Sequence, residues 1–205
     1  MRAVRRLARR ALAMELAMWA SLFRFALRRP RVPPGAVAFR YHGGVMTLLV
    51  VFIVLSAVEI PIVDLLVHPW PPVRIAFLVL GVWGLTWMIG LALGYVTRPH
   101  AVGPAGLLVR HGPELAVELP WDDLRTVGRA RVPREPGSPR LATDDAGRRI
   151  LSLPMNEGTN LEAVLDAPRR VRLPSGDATI DVVRYWADAP DDYLAQVRRF
   201  VDARV

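Results

Sequence analysis

Two long apolar segments, separated by a short proline-rich stretch, dominate the pattern of hydrophobic and polar positions. The first runs from 44 to 66 and the second from 75 to 95. At about 1.5 Å per helical residue, each can cross a hydrocarbon core of roughly 30 Å. Hydrocarbon offers no partner for loose backbone groups, and the connection VHPWPPVR allows only a tight turn. The pattern therefore predicts a transmembrane helical hairpin, which we assign to 41–97.

Aromatic, proline and small residues mark the ends and faces of the predicted helices. Tyr41, Trp70 and Tyr95 lie where amphipathic rings mark the two membrane interfaces, and the prolines of the connection are expected to stop both helices. Gly90 and Gly94 form a small-xxx-small pattern that lets a neighbouring backbone approach closely. Gly81 and Gly84 lie a little earlier in the same span. The neighbour is either the first span or another copy of the chain in a homo-oligomer.

Charge is distributed unevenly and predicts the orientation of the hairpin. Residues 1 to 40 contain ten Arg and one Glu, the connection contains one Arg, and Arg98 follows the second span. Because basic residues accumulate on the cytoplasmic side, both termini are predicted to be cytoplasmic in a multi-pass plasma-membrane protein. All basic residues are Arg, which indicates a bacterial source. Residues 96 to 205 contain sixteen Arg and sixteen acidic residues, so the net charge of +8 comes from the N-terminal arm, 1–40.

The N-terminal arm is predicted to form an amphipathic helix over residues 1–29, with apolar residues opposite a basic face. That face carries Arg2, Arg5, Arg6, Arg9, Arg10, Arg24 and Arg28. Such a helix lies in the membrane interface and binds anionic lipid headgroups. Because the basic charge lies beside a membrane span, anionic lipid is a better candidate for its partner than nucleic acid. Two alternatives stay open: a solvated or partner-bound helix, and a signal peptide, although Glu15 interrupts the apolar run.

After Arg98 the pattern changes to short apolar runs separated by turn residues, which predicts a small β domain over 98–205. The predicted strands are 106–111, 114–119, 124–132, 140–144, 148–154, 160–166, 170–173 and 178–187. A final helix is predicted to begin with Asp188 near its cap and Pro190, Asp191 and Asp192 in its first turn. Leu194, Val197 and Val201 form its apolar stripe. The predicted fold class is membrane α + β.

Three segments carry a resemblance to a known family: RPH at 98–100, GLLVRHG from Gly106, and LPWDDLRTV from Leu119. With the hairpin, they resemble bacterial pleckstrin-homology-like (PH-like) membrane proteins of the actinobacterial type, over about residues 40–204. The resemblance implies a seven-stranded, barrel-like β-sandwich capped by a C-terminal helix. It implies no particular activity.

Eukaryotic lipid-binding members of this superfamily use a basic loop between their first two strands, but this chain has His111, Gly112, Pro113 and Glu114 there. The only dense basic run of the predicted β domain is Arg169, Arg170 and Arg172. Alternation along a strand places Arg170 and Arg172 on one face. That face is either solvated or a contact for lipid or a partner.

Three polar residues in or near the first span are candidates for a functional role: Glu59, Asp64 and His68. An ionisable group at mid-bilayer costs roughly 2.5 to 3.5 kcal/mol, and such groups are often functional. Asp64 and His68 lie four residues apart on one helical face, and with Glu59 they suggest an outward-facing proton or ion site. The alternative is that Glu59 pairs with a hydroxyl or backbone group and fixes the register of the hairpin.

Reactive motifs are absent from the sequence. It has no cysteine, no P-loop, no G-x-S-x-G, no H-E-x-x-H and no dinucleotide glycine fingerprint, so no catalytic residue, cofactor or metal is predicted. The pairs Asp122/Asp123, Asp144/Asp145 and Asp191/Asp192 occur at turns or helix starts, where carboxylates cap amides. The sequence favours a non-enzymatic membrane protein that presents a PH-like domain to a protein partner. The alternative is a small proton- or ion-responsive membrane protein.

Overall fold

The structure is a computed structural model that describes residues 32–112, 115–134, 140–155, 157–173 and 176–203. The predicted amphipathic helix and its seven arginines lie outside the described residues. The described chain divides into two compact units. One is a helical hairpin, Val45–Thr97, and the other is a β domain that combines the segment ending at Gly44 with the chain from Arg98 onward.

The hairpin consists of α1 (Gly43–Leu66) and α2 (Pro71–Val96), both long and apolar enough to cross a membrane. The predicted start of α1 is correct to within one residue, but α2 begins four residues earlier than predicted. Pro71 and Pro72 occupy the first helical positions, where a missing N–H leaves no hydrogen bond unmade, so these prolines start α2 and do not stop it. Pro61 lies inside α1, which continues to Leu66.

Residues 67–70 form the turn between the two helices. The Val67 N–H donates to the Val63 carbonyl at 3.0 Å, and the Trp70 N–H donates to the Val67 carbonyl at 2.9 Å. The helices approach each other where a Cβ on Gly81 would lie 2.9 Å from Ile60 Cγ1. Glycine at this position therefore permits α1 and α2 to pack as antiparallel neighbours.

The β domain contains nine described strands, a short 3-10 helix (Trp121–Asp123) and one further α-helix, α3 (Pro190–Asp202). The strands are β1 (Val37–Phe39), β2 (His100–Gly103), β3 (Gly106–His111), β4 (Leu115–Leu119), β5 (Leu124–Pro133), β6 (Arg140–Thr143), β7 (Arg149–Leu153), β8 (Gly158–Leu173) and β9 (Gly176–Tyr185). The family resemblance implies seven strands. Two of the nine, β1 and β2, lie where no strand was predicted from the sequence.

The first sheet has the order β1-β2-β3-β4 and is antiparallel throughout. Its edge strand β1 precedes the hairpin in the chain, and β2 follows the hairpin. The two strands pair directly, with Phe39 opposite His100. The hairpin is therefore inserted between two neighbouring strands of one sheet.

The second sheet has the order β5-β8-β9-β7-β6, and β7 runs parallel to β9. The two segments predicted at 160–166 and 170–173 belong to one strand, β8. Its pairing with β9 shifts register between Val164 and Arg169, which accounts for the break in the sequence pattern.

The core of the β domain is formed by apolar residues from both sheets and from α3. Leu161 on β8 and Val183 and Tyr185 on β9 have no exposed surface. From α3, Leu194 and Val197 pack into this core, as the predicted apolar stripe requires. Val201 is an exception to the prediction because it is 46% exposed near the end of the helix.

Candidate functional site

Asp188 lies between β9 and α3 and makes three hydrogen bonds at the point where the chain begins α1. Its backbone N–H donates to the carbonyl of Arg40 at 3.0 Å. Its carboxylate accepts from the Gly43 N–H and from the indole N–H of Trp186, each at 3.0 Å. Gly43 is the first residue of α1, and the first turn of a helix has N–H groups without partners inside the helix. Asp188 therefore caps α1 from a distant part of the chain.

Asp188 directly precedes the N-cap residue of the C-terminal helix, near its cap as the sequence predicts, but its carboxylate does not cap that helix. The N-cap position of α3 is Ala189, which makes no side-chain cap, and Pro190 opens the helix. Asp191 and Asp192 lie in its first turn as predicted, where carboxylates favour the positive end of the helix dipole. The Asp188 carboxylate therefore caps α1 and not α3.

His100, at the start of β2, is 1% exposed and uses both ring nitrogens. Its Nδ1 accepts from the Arg110 N–H at 3.0 Å, so the proton is on Nε2, which donates to the Trp186 carbonyl at 2.8 Å. Burial lowers the pKa of His100 to about 3. The ring is therefore neutral near pH 7 and ties β2 to β3 and to the end of β9.

An aromatic cluster surrounds His100 and joins both sides of the hairpin insertion. We define it as Phe39, Tyr41, His100, Tyr185 and Tyr193. The Tyr41 ring stacks on His100 at a centroid distance of 4.4 Å, and Phe39 meets Tyr193 edge-on at 5.0 Å. Burial raises the pKa of both Tyr185 and Tyr193. These phenols stay protonated at neutral pH, so the cluster holds segments together and offers no group that titrates near pH 7.

The residues of this junction could not be assigned from the sequence pattern. Tyr41 was predicted to mark a membrane interface, but it is 1% exposed and belongs to the aromatic cluster. His42 beside it is also buried, and burial lowers its pKa while the Asp188 carboxylate opposes the shift. The one available signal was the RPH segment at 98–100, because it lies at the start of the predicted domain and is part of the family resemblance.

Asp64 is paired with Arg74 across the turn of the hairpin. The two side chains form a bidentate contact, with Nε to Oδ1 at 2.6 Å and Nη2 to Oδ2 at 2.8 Å. Arg74 is the only Lys or Arg between residues 45 and 97. His68, the predicted companion of Asp64 in an ion site, is exposed in the turn. The carboxylate of Asp64 is therefore already satisfied by a partner within the hairpin.

Glu59 lies in a groove between α1 and α2 with a volume of about 310 Å³. Ser56, one turn earlier, shares the α1 side, and Phe77 and Met88 are on the α2 side. Glu59 is exposed and makes no hydrogen bond or ion pair with any described residue. The predicted alternative of a structural pairing inside the hairpin therefore finds no partner among these residues.

The predicted packing glycines of α2 have different surroundings. Gly81 makes the close approach to Ile60, whereas a Cβ on Gly84 would meet no heavy atom within 4 Å. Gly90 and Gly94 are buried. The first span is therefore one of the neighbours that the glycines of α2 accommodate.

The basic run on β8 follows the predicted alternation. Arg170 and Arg172 are exposed, and Val171 between them is buried. Arg169 is half-buried and forms an ion pair with Asp123. Two of the three predicted contact residues therefore face solvent, and the third is held by the turn before β5.

Several acidic residues in the β domain have structural partners, and Asp144 is one of them. Asp144 accepts from the N–H groups of Arg148 and Ala146 at 2.9 and 3.0 Å, and the Arg148 amide contributes most to a lowered pKa of Asp144. Within the described ranges, no group of three His, Asp or Glu residues is arranged to hold a metal ion. Asp144 thus acts as a turn cap, as the sequence predicts.

Comparison with known proteins adds no assignment to these sites. No family model, no curated protein and no solved structure matches the chain. The insertion of the hairpin between β1 and β2 and the exposed residues of the described structure are the observations from which a function is inferred.

Proposed function

We propose that this chain is a non-enzymatic integral membrane protein of the bacterial plasma membrane. The hairpin crosses the bilayer twice, and a PH-like β domain at the cytoplasmic face binds a protein partner that it scaffolds or regulates. The observation that carries the proposal is the insertion of the hairpin between the paired strands β1 and β2.

The surface of the hairpin supports a location in the bilayer. α1 has 24 residues and α2 has 26, which correspond to about 36 and 39 Å of helix. No residue of α1 is buried, and the exposed residues of both helices are mainly Leu, Val, Ile and Phe. An apolar surface of this extent is unusual in a water-soluble monomer. Lipid chains are the environment that matches it.

The pairing of β1 with β2 supports an even number of crossings. Phe39 and His100 lie opposite each other in one sheet, so the chain leaves the β domain and returns to it at adjacent positions. A folded sheet cannot be divided between the two sides of a bilayer, because its backbone hydrogen bonds must stay together. The hairpin therefore begins and ends on the side where the domain lies.

The turn of the hairpin has the composition of a membrane interface. Trp70 is 59% exposed in the turn. Asp64 near the end of α1 pairs with Arg74 near the start of α2. Because ten Arg precede α1 and one lies near the turn, the positive-inside rule assigns the turn to the outer face. The β domain is then cytoplasmic.

The two-sheet arrangement with a C-terminal helix packed into the core supports a PH-like architecture for the domain. Such a domain on a short, folded connection stays close to the membrane, and tethering raises its effective concentration for a membrane partner. The exposed pair Arg170 and Arg172 offers a charged contact on a domain whose total charge is balanced. We assign the partner contact to this face.

Site-specific photo-crosslinking in native membranes tests the partner contact. A photoreactive residue at position 172 is expected to give one discrete adduct, and the same residue at the exposed position 198 on α3 is the matched control. Arg170→Gln should weaken the adduct from position 172 because it removes the adjacent charge. Recovery of the chain alone from both positions would contradict the proposal.

A further inference from the structure

Glu59 and Asp64 are the two acidic residues of the hairpin, and only one of them has a partner in the described structure. Asp64 is held by both arms of the Arg74 guanidinium. Glu59, five positions earlier, has neither a hydrogen bond nor an ion pair to a described residue. An ionised carboxylate in an apolar environment is stable only with a counter-charge or hydrogen-bond donors. A counter-charge or hydrogen-bond donor for an ionised Glu59 must therefore come from outside the described hairpin.

The groove beside Glu59 has space for such a group. Its volume is about 310 Å³, and Ser56 provides a hydroxyl one helical turn from the carboxylate. Ile60 already fills the space beside Gly81, whereas a Cβ on Gly84 would meet no heavy atom within 4 Å. A small residue with free space above it permits close approach by another helix. The groove thus combines an open backbone surface with one carboxyl group that has no partner among the described residues.

The charges of the hairpin decide what can fill the groove. Arg74, the only Lys or Arg between residues 45 and 97, is engaged by Asp64. A second copy of the hairpin would bring another Glu59 and no free cation, and two carboxylates in low dielectric repel each other. Charge complementarity therefore favours a foreign helix with a basic side chain.

We propose that this groove docks a transmembrane helix of another protein, and that a Lys or Arg on that helix pairs with Glu59. The inference deepens the proposed function and rests on it, since it requires the hairpin to lie in the bilayer. Glu59 is seven residues from the end of α1 at Leu66, or about 10 Å. The basic residue of the partner is therefore located in the outer third of its span.

The proposal can be tested with the full chain in phosphatidylcholine vesicles and a defined helical probe. Because the chain has no cysteine, Pro69→Cys in the exposed turn introduces a single site for a donor dye. The probe is a synthetic Leu/Ala helix of about 20 residues with one Lys at the depth of Glu59 and an acceptor dye. An otherwise identical helix has Leu in place of Lys. Energy transfer reports association.

The Lys helix is expected to associate at least about tenfold more tightly than the Leu helix, as one interhelical polar contact provides. Glu59→Gln should bring the two affinities to within about twofold. Glu59→Lys should reverse the preference toward a probe that contains Glu. These three results together identify a charge pair at Glu59.

The double variant D64N/R74Q is the matched control. It removes the other acidic residue and its partner without a change in net charge, so the preference for the Lys helix should persist. Circular dichroism of each variant verifies that the helices and the β domain are folded.

Equal binding of the two probes by the folded wild type would overturn the proposal, and so would a Lys preference that survives Glu59→Gln. Glu59-dependent self-association that the Lys helix does not displace would identify a second copy as the occupant, and would also overturn it. Labelling of the Pro69→Cys thiol in the same vesicles distinguishes failure of this inference from failure of the proposed function. If the hairpin does not span the bilayer, the proposed function fails as well; if it spans, only this inference fails.

Discussion

The helical hairpin and the β domain differ in the exposure of their apolar residues: those of the domain are mostly buried, and those of the hairpin are mostly exposed. In the β domain, Leu161 and Val183 are completely buried in a core that the domain supplies itself. In α1 no residue is buried, and Leu65 is 80% exposed. The domain can therefore obtain its hydrophobic stabilisation from its own fold, whereas the apolar surface of the hairpin stays exposed in the described structure. Identical substitutions in the two regions should have different consequences, and that expectation can be tested.

Truncation of a core leucine should produce the largest effect. Leu161 on β8 lies opposite Arg129 on β5 and Tyr185 on β9, so Leu161→Ala leaves a cavity at the centre of the second sheet. We expect the free energy of unfolding of the β domain to fall by about 3 kcal/mol. Denaturant unfolding of the detergent-solubilised full chain, followed by near-ultraviolet circular dichroism, measures this change.

The matched control is Leu65→Ala in the hairpin. This residue is 80% exposed and has little packing against the described residues to lose, so the unfolding free energy of the β domain should change by less than about 0.5 kcal/mol. Equal losses for the two variants would show that the regions do not differ as described.

The pH dependence of stability should sharpen the comparison, because the β domain contains a buried histidine. Folding lowers the pKa of His100 from 6.5 to about 3, so the unfolded chain binds the proton first as the pH falls. The stabilisation is complete above pH 6.5 and declines below it. Between pH 7.5 and 5.5, the contribution of this one group should fall by about 1.4 kcal/mol.

His100→Gln isolates that contribution, since glutamine keeps an N–H donor and a carbonyl acceptor but does not titrate. Urea unfolding of both chains at pH 7.5 and 5.5 gives the difference. His111, whose pKa burial lowers to about 4, titrates in both chains and cancels. If the variant loses as much stability as the wild type over this range, His100 is not the buried neutral base described here.

The cap on α1 should produce the smallest effect. Asp188→Ala removes the acceptor for the Gly43 N–H, which we expect to cost about 1 kcal/mol at the start of the helix. Hydrogen exchange at the Gly43 amide should accelerate correspondingly. Asp145→Ala, in an exposed turn, provides a control that should leave this exchange rate unchanged. Unaltered protection of Gly43 in Asp188→Ala would exclude the cap.

Local features of the fold could be predicted well from the sequence. The strand at 106–111 was predicted without error, and those at 124–132 and 140–144 to within one residue. Apolar alternation and turn residues define such elements because each depends on a few neighbouring positions. The exposure of Arg170 and Arg172 followed from the same alternation.

Contacts between distant segments could not be predicted in this way. β1 has only three residues, and its partner β2 lies on the far side of the hairpin, so no local pattern marks either strand. The Asp64–Arg74 pair could not be predicted from residue spacing along one helix, because the contact crosses the turn between two helices. The role of Asp188 was missed for the same reason: its partner is 145 positions away.

The central claim, that a twice-crossing hairpin is inserted into a cytoplasmic β domain, is most directly tested by cysteine accessibility in intact cells. The natural chain has no cysteine, so Pro69→Cys reports the turn and Ala146→Cys reports an exposed turn of the domain. A membrane-impermeant maleimide applied to spheroplasts should label Pro69→Cys, and should label Ala146→Cys only after lysis. Labelling of Ala146→Cys in intact spheroplasts, or protection of Pro69→Cys there, would contradict the claim.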